Sequence, residues 1–339
     1  MTAKKYLVGI TDYVVPPPNI EEEGFPEAEF IFLNDWRSSK ESEDQWRKVE
    51  ALLVWRFGVE MDTVNVLDNC KIVVRYGVGY ENVNYNALAK RRIPFSNNPD
   101  YGTEEVADTA CAMILACVRR ILTYDRASRF YAKGWQQNTI KEIRRTSDTT
   151  LGVIGVGRIG TAVVNRMKGF GIKILGYDPY QPSGHEKAVG YKRVETMDEI
   201  LSQSDIITLH CPLTSETKGM MHTEFFNKMK NGSSIVNTAR GAILKDFDTI
   251  EQALRSGQLA NAALDVLPQE PPDKNHPLIR AWINNEEWIS GRLIINPHGA
   301  YYSQRGFYEQ RFKAAETARR LLVSGKLRNQ IVPDDGSKL

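Results

Sequence analysis

The chain has 339 residues, 42% hydrophobic and 25% charged, with 44 basic against 42 acidic side chains for a formal net charge of +2. That length exceeds what one hydrophobic core usually fills, so two domains are expected, and the apolar content excludes a disordered chain. The even charge gives no general reason to bind nucleic acid or an anionic membrane, no apolar run approaches the ~18 residues of a membrane span, and the opening MTAKKYLVGITDY is too short in apolar residues for a signal core, so a cytoplasmic protein is expected.

From the N-terminus, apolar runs at Tyr6–Ile10, 30–33, 51–55 and 72–74 suit buried strands and are separated by stretches that suit helices or turns. Over 103–122, Val106, Ala110, Met113, Ile114, Cys117, Val118 and Ile121 recur at helical spacing. Glu104 and Glu105 lie in the first turn and Arg119 and Arg120 near the end, which predicts one helix bridging two domains. The strand rhythm returns from Leu151, and a last helical pattern over 306–324 ends at Gly325. If that helix crosses back, it completes the first domain. The expected fold class is α/β, with two doubly wound parallel sheets: a domain of 1–101 plus 304–339, and a domain of 102–303 inserted into it. A polar tail follows Pro333. Four scattered cysteines (Cys70, Cys111, Cys117, Cys211) without C-x-x-C spacing are expected as reduced, mostly buried thiols, with no metal site.

The segment Leu151-Gly-Val-Ile-Gly-Val-Gly-Arg-Ile-Gly160 holds G-x-G-x-x-G at Gly155, Gly157 and Gly160. Alone the pattern is weak, since any tight turn can produce it. Here it follows an apolar run and opens a helical one (Ile159, Val163, Val164, Met167), and the next strand pattern ends at Asp178. Gly155 would permit the turn, Gly157 would admit a pyrophosphate and Gly160 would let helix and strand approach, with the phosphates at the helix N-terminus. Asp178 would accept hydrogen bonds from the adenosine ribose and repel a ribose phosphate, and Pro179-Tyr180-Gln181 supplies no compensating arginine. NAD is therefore expected rather than NADP.

Four later segments, 206–217, 234–241, 262–272 and 293–303, each follow a strand-like run, which gathers Arg240, Asp265, Glu270 and His298 at the carboxyl ends of one sheet. Oxidation of an alcohol by NAD needs a base, a cation to hold the substrate and a fixed cofactor ring. His298, Arg240 and Glu270 are the residue types for the first two tasks, Glu270 serving to orient the imidazole. The residues alone leave other readings open: a loop histidine after Pro297, an arginine capping a strand end, a solvated loop carboxylate, and for Asp265 an ordinary strand terminus.

The ordered motifs G-V-G-R-I-G (155–160), N-T-A-R-G (237–241), A-L-D-V (263–266) with Glu270, and P-H (297–298), together with R-Y-G-V-G-Y-E-N-V-N (75–84) and P-D-Y-G-T-E-E-V-A-D (99–108), resemble the D-isomer-specific 2-hydroxyacid dehydrogenase family. H-C-P-L-T and Y-Y-S look similar to its branch of C-terminal-binding proteins. The resemblance implies a Rossmann NAD domain inserted into a flavodoxin-like substrate domain, and an NAD-dependent interconversion of a D-2-hydroxy acid and its 2-oxo acid. It also implies a homodimer joined through the cofactor domains. His298 would be the acid/base, Glu270 its partner and Arg240 the substrate anchor. The N–H groups of Val78 and Gly79 would bind the substrate carboxylate, with Arg75 beside them. Thr103, Arg158, Ile159, Asp178, His210, Cys211, Pro212, Thr217, Thr238 and Asp265 would line the cofactor together with the three glycines. Tyr301 stands where the corepressor branch carries a tryptophan that lines the substrate pocket, and Glu270 argues against formate. A rival expectation from that branch is an NAD(H)-sensing binding protein with little turnover.

Overall fold

The computed structural model describes residues 5–130, 134–136, 140 and 143–333. The chain forms two compact units, Met1–Gly102 with Tyr302–Leu339, and Thr103–Tyr301. Ser303 caps the returning helix by accepting from Gly306 N–H at 2.8 Å.

Unit 1 opens with five parallel strands, β1 (Tyr6–Ile10), β2 (Ala28–Phe32), β3 (Ala51–Val54), β4 (Ile72–Arg75) and β5 (Phe95–Ser96). They are ordered β5-β4-β3-β1-β2, so the winding reverses between β1 and β3. Every residue of β3 is buried because helices cover both faces of the sheet. The period of two sends Leu52 and Val54 into one core with Trp46, Leu88 and Phe95, and Ala51 and Leu53 into the other with Phe25, Tyr76 and Ala314. The second strand starts two residues before the expected 30–33, since Ala28 and Glu29 already pair with Tyr6 and Leu7.

Unit 2 is built on seven parallel strands, β6 (Thr150–Ile154), β7 (Lys173–Tyr177), β8 (Lys192–Arg193), β9 (Ile206–Leu209), β10 (Ser233–Asn237), β11 (Leu259–Leu264) and β12 (Leu293–Ile295). Their order is β12-β11-β10-β9-β6-β7-β8, with the reversal between β6 and β9. That order is the doubly wound dinucleotide-binding topology. One face is covered by the helices Thr103–Val118 and Arg158–Met167, whose Ala107, Ala110, Ile114, Val163 and Val164 share a core with Val153 and Val236.

The single helix expected over 103–122 is two. The first ends at Val118, Arg120 takes φ +54°, and a new helix runs Ile121–Phe130. A left-handed residue ends a helix because it breaks the i→i−4 ladder, and Arg120 N–H turns to Cys117 O at 3.3 Å. Ile121, which the periodicity places in the core, is 53% exposed.

The chain returns to unit 1 with the helix Gln304–Ser324, closed by Gly325 at φ +66°, and ends its described part in β13 (Gln330–Ile331), antiparallel to β5. The polar tail 334–339 lies outside the described residues. No helix among the described residues is long and apolar enough to cross a membrane.

Candidate active site

The glycine turn follows β6. Gly155 adopts φ +85°, and a Cβ there would stand 2.6 Å from the backbone nitrogen of Cys211, so the turn lies hard against the end of β9. A Cβ on Gly160 would meet the Gly155 carbonyl oxygen at 2.1 Å, whereas nothing lies within 4 Å of one on Gly157. Open space is therefore left in front of the ten-residue helix Arg158–Met167, with Arg158 and Ile159 in its first turn. Asp178, at the end of β7, accepts from Val156 N–H at 2.8 Å through Oδ2 and from Tyr180 N–H at 3.0 Å through Oδ1. Each oxygen keeps a second lone pair for a hydroxyl donor.

Past β9, His210 Nε2 lies 3.0 Å from the Thr208 hydroxyl, and Nδ1 is buried with no partner among the described residues. Part of the residue reaches the surface, but the covered nitrogen decides its ionisation: burial pushes the pKa down to about 3, so the ring is neutral. Burial likewise pushes the Cys211 thiol up to about 11. Thr238 Oγ1, just beyond β10, is a second buried polar atom with no partner among the described residues. Thr217 is more committed, its hydroxyl donating to Pro212 O at 2.6 Å and accepting from Thr214 N–H at 2.8 Å to close the turn after β9. Thr103 starts the helix Thr103–Val118.

Beyond β11 and β12 the acid/base candidates meet. His298 Nδ1 is 2.7 Å from Glu270 Oε2, and Glu270 Oε1 accepts from Leu267 N–H at 2.9 Å. An ionised carboxylate only accepts, so the proton is assigned to Nδ1 and Nε2 is left for chemistry. His298 holds φ +53°, a conformation that costs a non-glycine residue energy and that its neighbours enforce. Its N–H donates to Asp265 O at 2.8 Å, and Asp265 Oδ1 accepts from Gly299 and Ala300 N–H, each at 3.0 Å. Burial raises the pKa of Asp265, against the pull of those two N–H groups. The visible work of Asp265 is thus to shape the histidine loop. Tyr301 stands edge-on to the imidazole at 6.4 Å.

Arg240 follows β10, its Nη1 donating to Ala239 O at 2.7 Å. A Cβ on the next residue, Gly241, would lie 1.8 Å from Leu267 O, so the arginine loop touches the loop that carries Glu270. In unit 1, Arg75 ends β4 and donates to Asn82 Oδ1 at 3.2 Å. In the loop after it, Val78 O accepts from Asn97 Nδ2 at 2.7 Å, and no acceptor is seen for the N–H groups of Val78 and Gly79 among the described residues.

Two contacts escape sequence reasoning. His185 Nε2 lies 3.0 Å from Val156 O and so backs the glycine turn, and Arg193 on β8 donates to Gln181 O at 2.9 Å. An arginine therefore does stand beside the turn after Asp178, although it is also paired with Glu195 at 3.2 Å. Neither is near the motif in sequence, so no local signal points to them.

Residues 111–300 match the family model described as D-isomer specific 2-hydroxyacid dehydrogenase, NAD binding domain. The chain belongs to that family. A glyoxylate reductase of Korarchaeum cryptofilum is 34% identical over 81% of this chain and 79% of its own length. C-terminal-binding protein 1 of Caenorhabditis elegans is 31% identical over 81% of this chain, which spans only 37% of that protein. Among solved structures, a glyoxylate reductase from Paecilomyes thermophila superposes with a TM-score of 0.82 at 25% identity, covering 97% of this chain and 99% of the other. Unit 2 is thus the NAD-binding domain of a 2-hydroxyacid dehydrogenase. The open glycine turn and the His210 and Thr238 atoms without partners among the described residues fit the group that the family binds.

Proposed function

We propose that the protein is an NAD-dependent D-2-hydroxyacid dehydrogenase, or 2-oxo acid reductase, in which His298 is the acid/base, Glu270 holds it and Arg240 anchors the substrate. The observation that carries this reading is the 2.7 Å contact between His298 Nδ1 and Glu270 Oε2, on a loop clamped by Asp265. Bound NADH supplies a hydride to the carbonyl carbon. His298 Nε2 gives the carbonyl oxygen its proton and takes it back in the reverse direction. Glu270 keeps the ring in one tautomer and one orientation. Arg240 offers a permanent planar cation to the substrate carboxylate and carbonyl. The N–H groups of Val78 and Gly79, with Arg75 at the end of β4, are proposed as donors to a carboxylate. The reading extends to a homodimer joined through unit 2.

The test is NADH consumption against a panel of 2-oxo acids by wild type and His298→Asn. Wild type should turn over at least one acid. The variant should lose about 10²–10⁴-fold in kcat while binding NADH as before, as expected for removal of a general acid. Near-wild-type turnover by the variant refutes the assignment. A second reading, which follows from the resemblance to the branch of C-terminal-binding proteins, is an NAD(H)-gated dimeric binding protein. Tight NADH binding with no turnover across the panel would favour it.

A further inference from the structure

The crevice of unit 2 lies at the carboxyl end of β6, with β7 on one side and β9 on the other. The loops that follow those two strands are both fastened to the glycine turn. On the β7 side, Asp178 Oδ2 accepts from Val156 N–H at 2.8 Å and its Oδ1 accepts from Tyr180 N–H at 3.0 Å. On the β9 side, the backbone of Cys211 lies against Gly155. The turn beyond it is closed by the Thr217 hydroxyl, which donates to Pro212 O at 2.6 Å and accepts from Thr214 N–H at 2.8 Å. Glu216 stands in that turn.

The tips of the two loops meet. The Tyr180 hydroxyl donates to Glu216 Oε2 at 2.6 Å, although β7 and β9 are two strand spacings apart, about 10 Å. This contact completes a circuit of protein that runs from the glycine turn through Asp178, Tyr180, Glu216 and the Pro212–Thr217 turn back to Cys211 and Gly155. Tyr180 is 76% exposed, Glu216 is exposed too, and neither side chain has another partner among the described residues. Two surface side chains tied only to each other add little to folding, so the contact needs another explanation. Its acceptor is a carboxylate, which makes the bond stronger than one between neutral groups. The same bond to Glu216 holds the Tyr180 phenol above its ordinary pKa, so it remains a donor at neutral pH.

We propose that Tyr180 and Glu216 form a latch across the adenosine end of the NAD(H) site, which opens for the cofactor to enter or leave and so sets the rate of cofactor exchange rather than its affinity. The proposal rests on the reading of the glycine turn and Asp178 as the holders of the pyrophosphate and the ribose. Because the bond joins protein to protein, its opening is a step common to entry and departure. Both directions are slowed by one factor, and the equilibrium constant stays nearly as it was. A residue that simply touched the adenosine would act through departure alone.

Stopped-flow NADH fluorescence reads the association and dissociation rate constants in wild type, Tyr180→Phe, Glu216→Gln and the double variant. Each single variant should raise both constants by about 3- to 10-fold, the worth of one exposed hydrogen bond, while Kd changes by less than about twofold. The double variant should go no further than either single one, since both remove the same bond. ADP-ribose, which carries the adenosine half alone, should show the same acceleration when it competes with NADH. Unchanged rate constants, a rise in dissociation alone, or additive effects in the double variant overturn the proposal. Asp178→Ala separates this result from the reading of the adenosine site, and should weaken NADH binding by about tenfold or more. That loss together with wild-type rate constants in Tyr180→Phe and Glu216→Gln keeps the site and removes the latch, whereas NADH affinity unchanged by Asp178→Ala removes the site reading and the latch with it.

Discussion

His210 shows what a single buried nitrogen does to the pH dependence of the whole protein. Burial holds its folded pKa at about 3, whereas an unfolded histidine titrates near 6.5. Between those values the unfolded chain binds a proton that the folded chain does not, so stability is lost as pH falls through about 6.5, at up to about 1.4 kcal/mol per pH unit. At pH 5 this single group should cost about 2 kcal/mol relative to pH 7.5. Urea unfolding of wild type and His210→Asn at both pH values checks the effect, with the variant expected to lose about 2 kcal/mol less on acidification. Parallel losses in the two proteins would sink it. At this scale the sequence was legible where chemistry sits next to a strand end. His298, Glu270, Asp265 and Arg240 each follow a strand-like run, and the fold brings three of them into one connected network. His185 and Arg193 were illegible because their contacts are made across the surface of the sheet, to residues 29 and 12 positions away.

The strand–turn–helix element β6 to Arg158–Met167 gives its glycines different tasks that substitutions should separate. Gly160→Ala drives a Cβ into the Gly155 carbonyl, a backbone clash that only a shift of the element relieves, and should cost about 1–3 kcal/mol without any cofactor present. Gly157→Ala meets no atom within 4 Å, so stability should change by about 1 kcal/mol or less, yet NADH should bind at least about tenfold more weakly because the added methyl occupies the phosphate approach. Thermal denaturation without NADH and fluorescence titration with it read the two effects. Equal behaviour of the two variants would refute the division of roles. Such an element is legible because all its signals lie within a few residues of one another. The end of the helix at Val118 was not, since an apolar period of 3.6 continues across the break and nothing in Arg119-Arg120 announces a left-handed residue. Strands β5, β8 and β13 have two residues each, too few to show a period at all.

In the whole molecule, one unit is continuous in sequence and the other is assembled from two ends. Ala314, Ala315 and Ala318 of the helix Gln304–Ser324 are fully buried in the core that also holds Phe25, Leu53, Ile72 and Tyr76. A fragment of residues 103–301 is therefore expected to fold and to bind NADH within about fivefold of the intact chain, whereas residues 1–303 should keep NADH binding and lose cooperative unfolding of unit 1. Circular dichroism melts and NADH titration of both fragments check this, and a 103–301 fragment without NADH affinity would count against it. The two series of apolar runs made the paired sheets legible from the sequence, because buried parallel strands are apolar throughout. Which face the last helix covers was not, since its small residues gain their meaning only from the helix Asn19–Gly24 beside it, where a Cβ on Gly24 would stand 2.6 Å from Phe312 O. The split also sets an order of events on the ribosome. The five parallel strands of unit 1 are synthesised first, but the helix that covers one face of them emerges only after the whole of Thr103–Tyr301, roughly 10–40 s later at about 5–20 residues per second. Throughout that interval the nascent chain carries an uncovered apolar face, a natural docking target for holdase chaperones.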